Sequence, residues 1–121
     1  MRVLGSSFPC MVLLSPSTVA FLEKCVRSQL QIDVLLLVCQ NEERWWSARQ
    51  LCEELVLPEG LVSSALEALA AHNLLDVRIG TSLGYRFAPV DTWSRRAMTE
   101  AAARPHEARQ TVARLTGTPR S

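Results

Sequence analysis

The chain has 121 residues, 48% hydrophobic and 21% charged, which suits one globular domain with a single core and leaves too little chain for two. A formal net charge of +1 gives no bulk electrostatic reason to seek nucleic acid. No apolar run approaches the ~20 residues of a membrane span, so no membrane partner is expected.

The charge is unevenly placed. Residues 1–41 carry three basic and two acidic side chains, residues 42–76 two and seven, and residues 77–121 eight and three. An acidic middle therefore precedes a basic end. The four cysteines (Cys10, Cys25, Cys39 and Cys52) form no CxxC pair, and only two histidines, His72 and His106, accompany them. That is poor material for structural zinc, and no motif implies a cofactor. Cys25, Cys39 and Cys52 stand among apolar residues at helical spacing, where a free thiol behaves as a small hydrophobe. Such usage fits a reducing cytoplasm, the expected location.

Residues 1–14 read as a flexible N-terminus. Arg2 followed by apolar residues faintly resembles a signal peptide, but Pro9 breaks the run and no small-x-small cleavage site follows. Phe8 and Pro9 also occupy the positions where a lipoprotein box needs small residues before Cys10. Translation from Met11 would make the first ten residues an extension.

Ser15-Pro16-Ser17 supplies a cap and a first-turn proline for an amphipathic helix. From Thr18 to Ser28 its stripe is Val19, Phe21, Leu22, Cys25 and Val26. The stripe packs either on its own domain or on a second copy. Gln29–Gln40 is more apolar and reads as a buried core helix, with a strand over Val34–Val38 as the competing reading. Asn41–Arg44 is a polar connection, and Trp45-Trp46-Ser47 a very short strand.

Ser47 and Gln50 form a capping box that opens a helix over Ala48–Leu55. Val56-Leu57 is the turn. Pro58 then pre-sets the first residue of a helix to His72, which buries Val62, Ala65, Leu66 and Leu69. Asn73 is suited to the left-handed conformation that ends a helix. Leu74–Ile79 alternates as a strand with Leu75, Val77 and Ile79 on one side. The segment 80–84, with a glycine at each end, is the turn, and Tyr85-Arg86-Phe87 returns as the partner strand before Pro89. Asp91 caps a helical region through Trp93, Met98 and Ala103, Pro105 interrupts it, and His106–Leu115 forms a last helix. Residues 117–121 read as a frayed tail.

The stretch SARQLCEELVLPEGLVSSALEALAAHNLLDV, followed by a G…G hairpin and YRFAP, resembles the winged helix-turn-helix superfamily. Within it, residues 29–89 are similar to the MarR-like bacterial transcriptional regulators. The expected fold class is mainly α with a small β-hairpin: a winged helix domain over 15–89 that includes an extra N-terminal helix, followed by a C-terminal helical extension over 90–116. The resemblance makes 58–72 the recognition helix and 78–86 the wing. It implies DNA as the partner, a role in transcription regulation, and a homodimer built through the N- and C-terminal helices.

The recognition face departs from a sequence reader. Its exposed positions are Glu59, Gly60, Ser63, Ser64, Glu67, Ala68 and Ala71, with no Arg or Lys in the helix. Two carboxylates facing phosphates weaken binding, and hydroxyls discriminate bases poorly. The candidate DNA-contacting set is therefore a backbone-contact set: Arg49, Ser63, Ser64, Arg78, Thr81, Ser82 and Arg86. Each arginine also has a structural reading, Arg49 as the partner of Glu53 and Arg78 with Arg86 as cross-strand surface residues. Arg95, Arg96, Arg104, Arg109 and Arg114 form either a solvated helical face or a tail for an acidic partner. Trp45, Trp46 and Trp93 are core residues or the lining of a small-molecule pocket. No nucleophile or phosphate-loop motif is present, so no enzymatic activity is expected. The alternative to DNA binding is a winged helix used for protein–protein interaction, favoured by the acidic, Ala/Ser-rich face.

Overall fold

A computed structural model describes residues 14–116, so the expectations for residues 1–13, the start site and the tail at 117–121 lie outside the described residues, while Leu14, read with the flexible N-terminus, is buried in the core. Among the described residues are six helices and one two-stranded antiparallel sheet: α1 (Pro16–Cys25), α2 (Gln29–Gln40), α3 (Ala48–Leu55), α4 (Glu59–Ala71), β1 (Leu75–Ile79), β2 (Leu83–Phe87), α5 (Thr92–Ala103) and α6 (Pro105–Thr116). The mainly helical class with a small hairpin is thus as expected.

α2 is the element the others pack on. It touches α3, α4 and β2 on one side and α5 and α6 on the other. Ile32, Val34, Leu35, Leu36 and Val38 are consequently buried around much of its circumference. A helix enclosed in this way has no polar face to pattern, which is why Val34–Val38 imitates a strand. α1 packs on α5 and α6. One continuous core includes Phe21 and Leu22 of α1, Leu66 and Leu69 of α4, Met98 of α5 and Val112 of α6. The apolar stripe of α1 is therefore covered mainly by its own chain, while Trp93 of α5 and Leu115 of α6 remain partly exposed.

Local chemistry sets most boundaries. Ser15 accepts the Thr18 amide, Asp91 accepts the Ser94 amide, and Ser47 with Gln50 makes both bonds of the capping box. Asn73 adopts φ 61° after α4, as expected. Four expectations need correction. α1 ends at Cys25 and not near Ser28, because Val26 is extended and Ser28 turns its hydroxyl to the Gln31 amide as the cap of α2. Pro58 is the N-cap of α4 (φ −61°, ψ 138°) and not its first helical residue. Pro105 is the first residue of α6, where its missing N–H costs nothing. Gly84 belongs to β2 and not to the turn, which is reduced to residues 80–82.

The turn between α3 and α4 stores strain. Val56 sits at φ 57°, ψ 54°, a left-handed conformation in which its branched Cβ is crowded, and it is 86% exposed, so no packing compensates. Val56→Asn or Val56→Gly is expected to stabilise the protein by about 1 kcal/mol, measured by urea unfolding. Unchanged or lower stability would show that Val56 is not strained.

Candidate functional site

The capped start of α3, the outer face of α4 and the hairpin enclose a groove of about 410 Å³. Ser47, Ala48 and Arg49 come from α3 and its cap, Glu59, Ser63 and Glu67 from α4, and Ser82, Leu83 and Tyr85 from the hairpin. Glu59, Ser63 and Glu67 are spaced four apart and so fall on one helix face. Tyr85 is held at the groove floor because its N–H and C=O both bond to Trp46, each at 2.7 Å. Burial first, and then the Glu67 carboxylate, push the Tyr85 phenol above its ordinary pKa.

The groove is not basic. Its one cation, Arg49, lies 3.4 Å from Glu53 on α3, a pair exposed on both sides and of small energetic value. Glu59 and Glu67 have no ion-pair partner among the described residues. Apolar surface is exposed nearby on the hairpin: Val77, Ile79 and Leu83 are 46%, 82% and 46% exposed. Leu75, Val77 and Ile79 alternate along β1 as expected, but they do not share one environment. Only Leu75 reaches the core, because the hairpin projects beyond it.

A second groove, of about 320 Å³, runs on the other side of the hairpin. It includes Trp45, Trp46, Gln50, Arg78, Thr81, Ser82 and Gly84. Gly84 allows the contact that shapes it: a Cβ at this position would stand 3.4 Å from Trp45 Cε3, so a longer side chain would displace the indole. Arg78 and Arg86 lie against the Trp45 ring, with their guanidinium carbons 4.4 and 4.6 Å from its centroid. Arg44 covers Trp46 at 3.8 Å, and the buried Trp46 Nε1 lacks a hydrogen-bond partner among the described residues. Arg86 also donates to Asp76, its cross-strand partner, at 3.1 Å.

The seven sequence candidates are therefore divided. Arg49, Ser63 and Ser82 share the first groove, and Ser82 also lines the second with Arg78 and Thr81. Ser64 and Arg86 line neither. Sequence reasoning did not assign Trp45 and Arg44 to this cluster, nor Tyr85 and Leu83 to the first groove. The spacing Trp45…Gly84 gives no local signal, because the pair meets only across the bridge of Trp46 to Tyr85.

The remaining candidates resolve elsewhere. Trp93 lies apart from the other tryptophans, edge-on to Phe21 at 5.8 Å and donating Nε1–H to Ser17 Oγ at 2.9 Å. Of the C-terminal arginines, Arg95 pairs with Glu42 at 3.0 Å and Arg109 with Asp33 at 2.6 Å, so part of the basic segment grips the acidic residues of its own chain. Cys25, Cys39 and Cys52 are free thiols. Burial, with Glu42 adding to it, pushes the Cys39 thiol up to about 11, which leaves little reactive thiolate at neutral pH. Among the described residues no cluster of His, Cys, Asp and Glu could hold a metal, and no helix is long and apolar enough to cross a membrane.

Comparison of the chain with protein-family models, with curated proteins and with solved structures finds no match.

Proposed function

We propose that this chain is a winged helix domain, with α3 and α4 as its helix-turn-helix and β1–β2 as its wing. In this reading its recognition face serves a protein partner and no catalysis. The element order, the tight α3–α4 turn and the bridge of Trp46 to the wing strand support the winged helix reading. The observation that carries the function is the groove itself. Glu59 and Glu67 stand without an ion-pair partner on the face that a DNA reader turns to phosphates, and Arg49 is the one cation that lines it. A partner segment with basic side chains for the two carboxylates and apolar ones for Leu83 and Tyr85 complements it.

Selection of a random peptide display library on the protein tests this. Enrichment of basic, apolar peptides, lost with Glu59→Lys/Glu67→Lys, is expected. No enrichment, or enrichment indifferent to that double variant, would overturn the reading.

The second reading, a transcriptional regulator holding the DNA backbone, is favoured by the gathering of Arg44, Arg78 and Arg86 at Trp45 and Trp46. A stacked guanidinium keeps its edge N–H groups able to donate to phosphate.

A further inference from the structure

The hairpin has one edge in use and one open. On the β2 side, Tyr85 exchanges both backbone bonds with Trp46. Tyr85 stands opposite Val77 in the β1–β2 register. Its polar groups are thus turned away from Val77, and Val77–Tyr85 is a non-hydrogen-bonded pair. The bond from the Ala88 amide to the Leu74 carbonyl fixes the same alternation from the other end. Residues 74, 76 and 78 therefore bond to β2, and the N–H and C=O groups of Leu75, Val77 and Ile79 point to the outer edge. Among the described residues no strand pairs with that edge.

Exposed edge strands are usually guarded by charges. β1 carries two, Asp76 and Arg78, in the self-complementary order Leu-Asp-Val-Arg-Ile. If a second β1 runs antiparallel with Val77 opposite Val77, Leu75 faces Ile79 and Asp76 faces Arg78 on both sides of the twofold axis. The backbone phase agrees. Val77–Val77 and both Leu75–Ile79 pairs fall at hydrogen-bonded positions, and the Asp76–Arg78 pairs at the closer non-hydrogen-bonded ones. A shift by one residue would turn each apolar side chain to the wrong face.

We infer that the outer edge of β1 is a self-pairing site, at which two copies of this chain join into a four-stranded sheet β2–β1–β1–β2 across a twofold axis. The charges that would repel other strands select this one. The exposed Val77, Ile79 and Leu83 of both copies then form one apolar face, while Asp76 bridges Arg86 of its own hairpin and Arg78 of the other copy. The interface is isologous and small, so the dimer is weak and exchanging, with a dissociation constant on the order of 100 µM. The paired edge itself, Leu75, Val77 and Ile79, lies outside the groove proposed for the protein partner, and Leu83 borders both.

Sedimentation velocity over a concentration series tests it. The wild-type chain is expected to shift from monomer to dimer. Val77→Pro, whose lost N–H faces outward and leaves the β1–β2 ladder intact, is expected to weaken association by at least about tenfold, with circular dichroism confirming the fold. Asp76→Arg alone and Arg78→Asp alone place like charges opposite each other and are each expected to stay monomeric. Mixed in equal amounts, they restore two opposite-charge pairs and are expected to associate. A wild-type chain that is monomeric at about 1 mM, ten times the expected dissociation constant, would overturn the proposal and leave the edge to another partner's strand. A dimer that survives Val77→Pro, or charge variants that fail to associate when mixed, would overturn it as well.

Discussion

Leu35→Ala is expected to destabilise the protein by about 3–5 kcal/mol, a large share of the ~5–15 kcal/mol that holds a domain of this size together. Leu35 is fully buried in α2, the helix between the α3–α4–hairpin unit and the α5–α6 pair. Truncation leaves a cavity that neither side can fill without withdrawing from the other. Because the core is continuous across α2, both sides should unfold in one transition, with circular dichroism and tryptophan fluorescence reporting the same midpoint. Two separated transitions would show that the terminal helices and the hairpin unit are independent. Leu61→Ala, at a position 54% exposed, is the matched control and should change stability by no more than ~0.5 kcal/mol.

Glu100→Ala should have the next largest effect, about 2 kcal/mol, through loss of charge-assisted hydrogen bonds. The Glu100 carboxylate on α5 accepts the Ser15 amide, the Ser15 hydroxyl at 2.8 Å and the Thr18 hydroxyl. It thus sits at the N-terminus of α1, where a negative charge is favoured. Thr18 is 2% exposed, so its hydroxyl loses a partner that water cannot easily replace. The Thr18 bond, and after it the two from Ser15, hold the Glu100 carboxyl below its ordinary value against an opposing effect of burial. With the folded pKa lowered, this stabilisation is present above about pH 4.5 and is lost as pH falls through the folded value. Urea unfolding between pH 3 and pH 7 should therefore show a shallower acid loss in Glu100→Gln than in wild type. An identical pH profile in the two would remove the carboxylate from the account.

What the sequence made legible was what is decided within a turn of chain. Ser47 and Gln50, Asp91 with Ser94, and Asn73 act on backbone groups three residues away or fewer, and each was read in place. The α3–α4–hairpin order was legible for the same reason. Contacts made across the fold were not. Glu100 meets Ser15 over a separation of 85 residues, and nothing local marks it as a helix cap. Gly84 looked like turn chemistry because the indole that lies close against its backbone comes from Trp45, in a different element. The arginines show the same limit. Arg78 and Arg86 have the composition of a phosphate-contacting wing, but the register that sets Asp76 beside Arg86 and the approach of Trp45 decide what they touch. The absence of basic residues from α4, by contrast, was plain in the sequence, and the groove geometry gives it its consequence.

The proposed function requires an α4 face that repels nucleic acid and receives protein. Its most direct measurement is fluorescence anisotropy of a labelled random-sequence duplex at low ionic strength, titrated with wild type, Glu59→Lys/Glu67→Lys and Arg78→Ala/Arg86→Ala. No binding by wild type is expected at protein concentrations of about 10 µM, with salt-sensitive binding gained by the lysine variant, since two repulsive charges become two phosphate contacts. Wild-type binding whose logarithm falls linearly with the logarithm of salt, with a slope flattened by Arg78→Ala/Arg86→Ala, would contradict it and restore the DNA-backbone reading.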